Sequence, residues 1–139
     1  LSSTESAKKS KIILKQYDFT NDEILVISDA IRDHSFSQNK IPESIVGKIL
    51  QDADRLDAIG AIGIARVFAT GGSLKRPFYN IDDPFCKTRT PDDKTWTVDH
   101  FYKKLLKLES LMNTKSGKME AKKRTTVLKD FLKQLKLEI

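Results

Sequence analysis

The sequence predicts an all-α fold, a helical bundle interrupted by one long irregular loop over about residues 70–96. Three observations carry that expectation. Ser2 with Glu5 and Thr20 with Glu23 have the spacing of capping boxes, which satisfy free N–H groups at helix starts. Apolar residues then recur every three or four positions through most of the chain. Only the loop offers strand candidates, and they are short. No internal repeat is present.

The elements follow in order. A helix is expected from about Ser3 to Gln16, with Ile12, Ile13 and Ala7 as its inner face. Thr20 opens a second, carrying Ile24, Ile27 and Ile31 and ending near Asp33-His34-Ser35. The polar segment His34–Asn39 separates it from a central helix that Pro42 begins, proline being suited to a first helical turn. Gly60 and Gly63 fall inside that pattern and each weakens a helix by about 1 kcal/mol relative to alanine, so a kink or junction is expected near Gly60. Thr70-Gly71-Gly72-Ser73 stops it. The excursion to Thr95 holds Pro77, Pro84 and Pro91 and shows no period. A loop of that length in a small domain is functional or disordered. Thr97 caps a helix with the stripe Val98, Phe101, Tyr102, Leu105, Leu108 and Met112. The last helix runs from about Lys118 to Glu138, with Leu128, Phe131, Leu132 and Leu135 inward.

Composition narrows the function classes. The 139 residues suit one domain spanning 1–139, with 39% apolar and 32% charged residues. No apolar run approaches the roughly 20 residues that span a bilayer, so no membrane partner is expected. The one cysteine, Cys86, cannot form an internal disulfide, which reads most simply as a reducing, cytoplasmic setting. From Val98 onward eleven Lys/Arg face five Asp/Glu, which accounts for the whole net charge of +6. Such a face attracts phosphates, but no aromatic residues interleave the lysines and no groove-reading motif appears. Nucleic acid is therefore not the expected partner. No phosphate-cradling glycine loop, zinc-type Cys/His spacing or serine elbow is present.

The central run KILQDADRLDAIGAIGIARVF, Lys48–Phe68, carries Asp52, Asp54 and Asp57. Drawn as one continuous helix, Asp54 shares a face with Gly47, Leu50, Ala58, Ala61 and Ala65, at spacings of four, seven and eleven. Asp52 points the other way, towards Lys48 and Arg55. A carboxylate on a small, apolar face is costly unless paired or metal-bound. Asp54 is thus expected to be buried, as a ligand of a divalent cation with Asp57 supporting it, or as the partner of an arginine or backbone N–H.

The run from Leu50 to Phe68 resembles the downstream signature of the HD superfamily of metal-dependent phosphohydrolases. The resemblance extends to Ile31–Ser37, to Ala69–Gly72, to His100–Leu108 and to Met112–Thr114, segments spread over residues 31–114. It implies an all-helical domain that binds one divalent ion (manganese, magnesium, cobalt or nickel) and hydrolyses nucleotides with metal-activated water. The family's ligands are a histidine, a His-Asp doublet and a final aspartate in an ADRL-type segment, which maps onto Asp54 in Ala53-Asp54-Arg55-Leu56. No histidine precedes His34 and no His-Asp pair occurs in the sequence. The expectation is that N-terminal helices bearing those ligands are missing from it; a catalytically inactive nucleotide- or protein-binding module is the alternative.

Other candidates each carry two readings. His34 is a proton donor or phosphate contact, or a histidine that ends a helix. Arg66 reaches a phosphate if the glycines bend the helix, or forms a surface ion pair. Lys104 shares a helical face with His100 and edges the site. Asp57 and Arg66, with Lys104, are the substrate-binding candidates; Asp54 and His34 are the catalytic ones.

Overall fold

The computed structural model describes residues 2–35 and 40–139; the polar segment expected between the second and third helices falls largely outside them. Every regular element among the described residues is helical. The chain divides into two compact units, Leu1–Arg55 with Asn113–Gly117, and Leu56–Met112 with Lys118–Ile139.

The first unit contains α1 (Ser3–Leu14), α2 (Asn21–Asp33) and the start of α3 (Ile45–Asp57). Both capping boxes form. Ser2 Oγ accepts from Glu5 N–H at 3.2 Å while Glu5 Oε2 accepts from Ser2 N–H at 2.8 Å. Thr20 and Glu23 repeat the pattern at 3.3 and 2.8 Å. α1 packs on α2, with Ala7, Ile24, Ser28 and Ala30 buried. The inner face of α1 corrects the expectation: Ile12 and Ile13 are 64% and 53% exposed. The inward stripe is Ser3, Ala7, Ser10 and Leu14, with Ala7 the most buried. Small side chains let the backbones approach, and Ser10 Oγ spends its proton on the Ala7 carbonyl at 2.8 Å. The central helix starts three residues after Pro42. Ser44 is its cap, accepting from Gly47 N–H through Oγ at 3.0 Å and from Lys48 N–H through its carbonyl. Pro42 is buried against Gly47, where a Cβ would stand 2.6 Å from the proline ring.

α3 turns over the expected burial. Its buried residues are Gly47, Gln51, Asp52 and Arg55, while Ile45, Val46, Ile49, Leu50, Ala53 and Asp54 are exposed. Gln51 and Asp52 go inside because their polar atoms are met there. Gln51 Nε2 donates to the Lys40 carbonyl at 2.8 Å, and its Oε1 accepts from Asn113 Nδ2 at 2.9 Å.

In the second unit the helix drawn as continuous breaks at Ala58-Ile59, and α4 (Gly60–Ser73) begins anew. Gly60 makes the junction with φ +77°, a left-handed backbone that a side chain would strain. The helix expected after Thr97 is two pieces, α5 (Asp99–Lys103) and a 3-10 segment, Leu105–Leu111. The change of period does not disturb the stripe: Val98, Phe101, Leu105, Leu108 and Met112 are all buried, with Tyr102 half-buried. α6 (Lys115–Glu138) turns Ala121, Thr125, Leu128 and Leu132 inward and leaves Phe131 and Leu135 half-buried. Phe68, Phe78, Phe101 and Phe131 form the aromatic centre of this unit. Phe68 lies 5.2 Å from Phe78 and 5.6 Å from Phe131 between ring centroids, edge to face, and Phe101 stacks on Phe131 at 5.7 Å.

The irregular segment runs over residues 74–98, after α4 has continued to Ser73. Its two ends are tied, Thr97 N–H donating to the Pro77 carbonyl at 3.0 Å and Val98 N–H to that of Phe78 at 2.8 Å. The interior is wired by buried Asp99, which accepts from Arg89 Nη1 at 2.5 Å and Nη2 at 2.8 Å and from Asp92 N–H at 2.7 Å. The Arg89 guanidinium lies 4.5 Å over the Trp96 ring. This loop is ordered by its own side chains, as compact closed loops are.

Candidate functional site

Asp54 is exposed, not buried, and this corrects the central expectation. Among the described residues it accepts no hydrogen bond and forms no ion pair; the charge of neighbouring Arg55 acts on it. The buried carboxylate of α3 is Asp52, at 3% exposure. It accepts from Asn113 N–H at 2.8 Å, Asn113 Nδ2 at 3.0 Å, Thr114 N–H at 2.8 Å and Thr114 Oγ at 2.7 Å. Burial pushes this carboxyl up, but those four donors outweigh it and hold it below the usual carboxylate range. Asp52 therefore anchors the start of α6, a helix N-terminus that favours an anion.

The other predicted residues divide. His34 ends α2, with Nδ1 2.6 Å from the Ile31 carbonyl, so that nitrogen carries the proton and donates locally. No hydrogen bond joins His34 to Asp54 among the described residues. Asp57 and Arg66 are brought together as an ion pair, both largely exposed. The break at Ala58-Ile59 makes this possible by letting α4 fold its second turn back to the end of α3. Arg66 and Lys104 line one cavity.

That cavity, about 160 Å³, lies within the second unit. It exceeds by far the ~10–15 Å³ that one water needs. Arg66 and Val67 reach it from α4, Arg76 from the loop, His100 from α5, and Lys104 from the residue after α5. None of its lining residues is an aspartate or glutamate. Gly63 and Gly71 keep two walls clear of Cβ atoms; one at Gly63 would strike the Ala58 carbonyl, one at Gly71 the Thr97 side chain. Thr97 is 3% exposed, and its buried hydroxyl has no hydrogen-bond partner among the described residues. Among the described residues no carboxylate pairs with Arg76, while His100 Nδ1 stands 2.8 Å from Asp93 Oδ2. A cationic recess lined by Arg66, Arg76, His100 and Lys104 suits a phosphate or another multivalent anion.

Arg66 and Lys104, the substrate-binding candidates of the sequence, both line this cavity, while Arg76 and Asp93 had no site role there; Thr97, expected to cap a helix, makes no side-chain capping hydrogen bond, and the N-cap of α5 is Val98. The positions of Arg76, Asp93 and Thr97 depend on the path of a loop without period. The only signal was the basic pair Lys75-Arg76 directly after the two glycines.

Metal binding fits less well. Among the described residues no three His, Cys, Asp or Glu side chains are grouped so as to hold an ion. Asp54 alone supplies one carboxylate, and no step through a metal can be derived from it. No described helix is long and apolar enough to cross a membrane.

Comparison with known proteins found no matching family model. The sequence is 40% identical over 100 residues to the uncharacterized protein YpgQ of Bacillus subtilis, covering 72% of this chain and 43% of that one. The structure matches that of an HD-superfamily hydrolase from Bacillus thuringiensis with a TM-score of 0.75 and 39% identity, over 95% of this chain and 61% of the other. It matches YpgQ in complex with ADP with a TM-score of 0.74 and 32% identity, over 100% and 62%. The chain thus spans under two thirds of the length of these relatives.

Proposed function

Since the chain matches the fold of an HD-superfamily hydrolase at 39% identity, and its central run resembles that superfamily, we propose that it serves a cytoplasmic nucleotide phosphohydrolase. Its contribution is to hold the phosphates of the substrate. The cavity lined by Arg66, Arg76, His100 and Lys104 carries this reading. Arg76 offers a planar fork of donors suited to a phosphate, Lys104 a point charge, and the buried Thr97 hydroxyl one further donor. The ADP-bound relative supports a nucleotide as the ligand. Asp54 is the carboxylate that the resemblance assigns to a divalent ion, manganese, magnesium, cobalt or nickel.

Calorimetric titration with ADP and with inorganic pyrophosphate tests the phosphate assignment. Binding is expected, weakened at least tenfold in both Arg76→Ala and Lys104→Ala and weakened by salt. Absence of binding by the unsubstituted protein at millimolar ligand would reject it. Release of phosphate or pyrophosphate from a panel of nucleoside di- and triphosphates, with each of the four ions, tests the hydrolase. Loss of that release in Asp54→Ala is the expected outcome. One observation favours a second reading: the absence of a three-ligand group among the described residues suits a module that binds nucleotides without turning them over. Binding with no release under any ion would select it.

A further inference from the structure

The His100–Asp93 pair stands at the cavity but belongs to a different part of the chain's design. His100 sits in the first turn of α5 and lines the cavity. Its Nδ1 is 2.8 Å from Asp93 Oδ2, and both side chains are about one quarter to one third exposed. Asp93 lies in the irregular segment, where a carboxylate would ordinarily wander. It does not wander here, because its neighbour Asp92 is fixed at every polar atom. Asp92 N–H donates to buried Asp99 at 2.7 Å. The Asp92 carboxylate accepts from Lys94 N–H at 3.1 Å and Thr95 Oγ at 2.7 Å. The Asp92 carbonyl accepts from the N–H groups of Thr95 and Trp96. Asp99 is in turn clamped by Arg89, whose guanidinium rests on Trp96. Asp99 also precedes His100 directly, so one buried carboxylate fixes both partners of the pair.

We propose that Asp93 is a positioning residue: its carboxylate accepts a hydrogen bond from His100 Nδ1–H and so leaves Nε2 as the ring nitrogen that meets a phosphate oxygen in the cavity. The logic is that of histidines whose second nitrogen is held by a carboxylate, which fixes both tautomer and ring orientation. In the ligand-free neutral ring the single proton sits on Nδ1, held by Asp93; against the anion it is the imidazolium form that donates from Nε2, and the Asp93 carboxylate keeps the ring oriented and balances its charge. The charged groups at the ring and around the cavity are Asp93, in hydrogen-bond contact with it, and Arg66 from α4, Arg76 from the loop and Lys104 beyond α5, which line the same cavity. The Arg89–Asp99–Asp92 network acts on the site through Asp93, beside Asp92, and through His100, beside Asp99. This inference rests on the phosphate reading of the cavity.

Two measurements keep the two readings apart. The ring nitrogens of His100, observed by long-range proton–nitrogen NMR, report the tautomer without any ligand. The unsubstituted protein is expected to carry the proton on Nδ1, Asp93→Ala to move it to Nε2, and Asp93→Glu to restore it. Pyrophosphate titration reports the consequence. Binding is expected to weaken about fivefold in Asp93→Ala and in His100→Ala, to recover in Asp93→Glu, and to weaken no further in the double variant, as for residues that act as a unit. An unchanged tautomer in Asp93→Ala, or additive losses in the double variant, would overturn the proposal. Failure of the unsubstituted protein to bind pyrophosphate would instead reject the phosphate reading and with it the role given to Nε2.

Discussion

Asp52 and Thr114 hold each other by two hydrogen bonds, the carboxylate accepting the Thr114 N–H at 2.8 Å and its hydroxyl at 2.7 Å. The same hydroxyl accepts from Gly117 N–H at 3.0 Å, so one side chain both caps α6 and ties it to α3. Gly117 is small for this reason, because a Cβ there would strike the Asp52 carboxylate.

This arrangement separates two aspartates that are two residues apart. Asp52→Ala strips the partner from four donors and leaves buried polar groups unmet, a loss of about 2–4 kcal/mol. Asp54→Ala removes an exposed carboxylate that accepts no hydrogen bond among the described residues, and its effect on stability is expected to stay within about 0.5 kcal/mol. Urea unfolding of the two variants checks both. Equal destabilisation would contradict the structure.

The same carboxylate sets an acid limit. The Asp52 group is held below its ordinary value in the folded state, and so is Asp99, where burial pushes upward but Arg89 and the Asp92 N–H more than offset it. The unfolded chain therefore takes up these protons first as pH falls. The stability they contribute is complete above the unfolded value, about 3.9, and is lost as pH drops below it towards the folded values. Unfolding free energy measured from pH 6 to 3 should fall through the lower part of that range. It should fall less steeply in Asp52→Asn, which has no charge to lose.

How much of this was legible follows from what kind of interaction fixed each element. The capping boxes and the Val98–Met112 stripe are local signals, and both appear in the structure as read, even though that stripe changes from α to 3-10 midway. The faces of α1 and α3 were misread because wheel arguments reward apolar residues. α1 packs through serines and an alanine, and α3 through a glutamine and an aspartate whose partners lie some 60 residues on, in Asn113 and Thr114. The break before Gly60 was foreseen from glycine alone, and it explains why Arg66 meets Asp57. The cavity was half legible: Arg66 sits on α4 and Lys104 directly after α5, whereas Arg76, Thr97 and Asp93 are placed by the wiring of the loop.

The two glycines at the end of α4 should respond oppositely to alanine. At Gly71 a Cβ would stand 2.8 Å from Thr97 Cγ2 and closer still to its hydroxyl, so the cavity wall must shift. Overpacking of this kind costs about 1–3 kcal/mol, and pyrophosphate binding is expected to weaken with it. At Gly72 no atom lies within 4 Å of the added carbon. There alanine should gain about 0.5–1 kcal/mol through helix propensity. Thermal melts of the pair read the difference, and a stabilised Gly71→Ala would mean the two walls are not in contact.

Cys86 tests the loop as a whole. Burial pushes its thiol up to about 11, and the Asp99 carboxylate, to which it donates, pushes in the same direction. Beside an ordinary thiol near 8.5, that leaves roughly a hundredfold or more less thiolate at pH 8, and the thiolate is the reactive form. Labelling by a disulfide reagent at pH 8 should therefore be slower by about that factor in the native protein than in guanidinium. Releasing the clamp with Arg89→Ala removes the partner that holds Asp99 and should restore much of the lost rate, by freeing the loop to open. If Cys86 reacts at the unfolded rate in the native protein, the segment over residues 74–98 is not held by Asp99, and the support claimed for Asp93 goes with it.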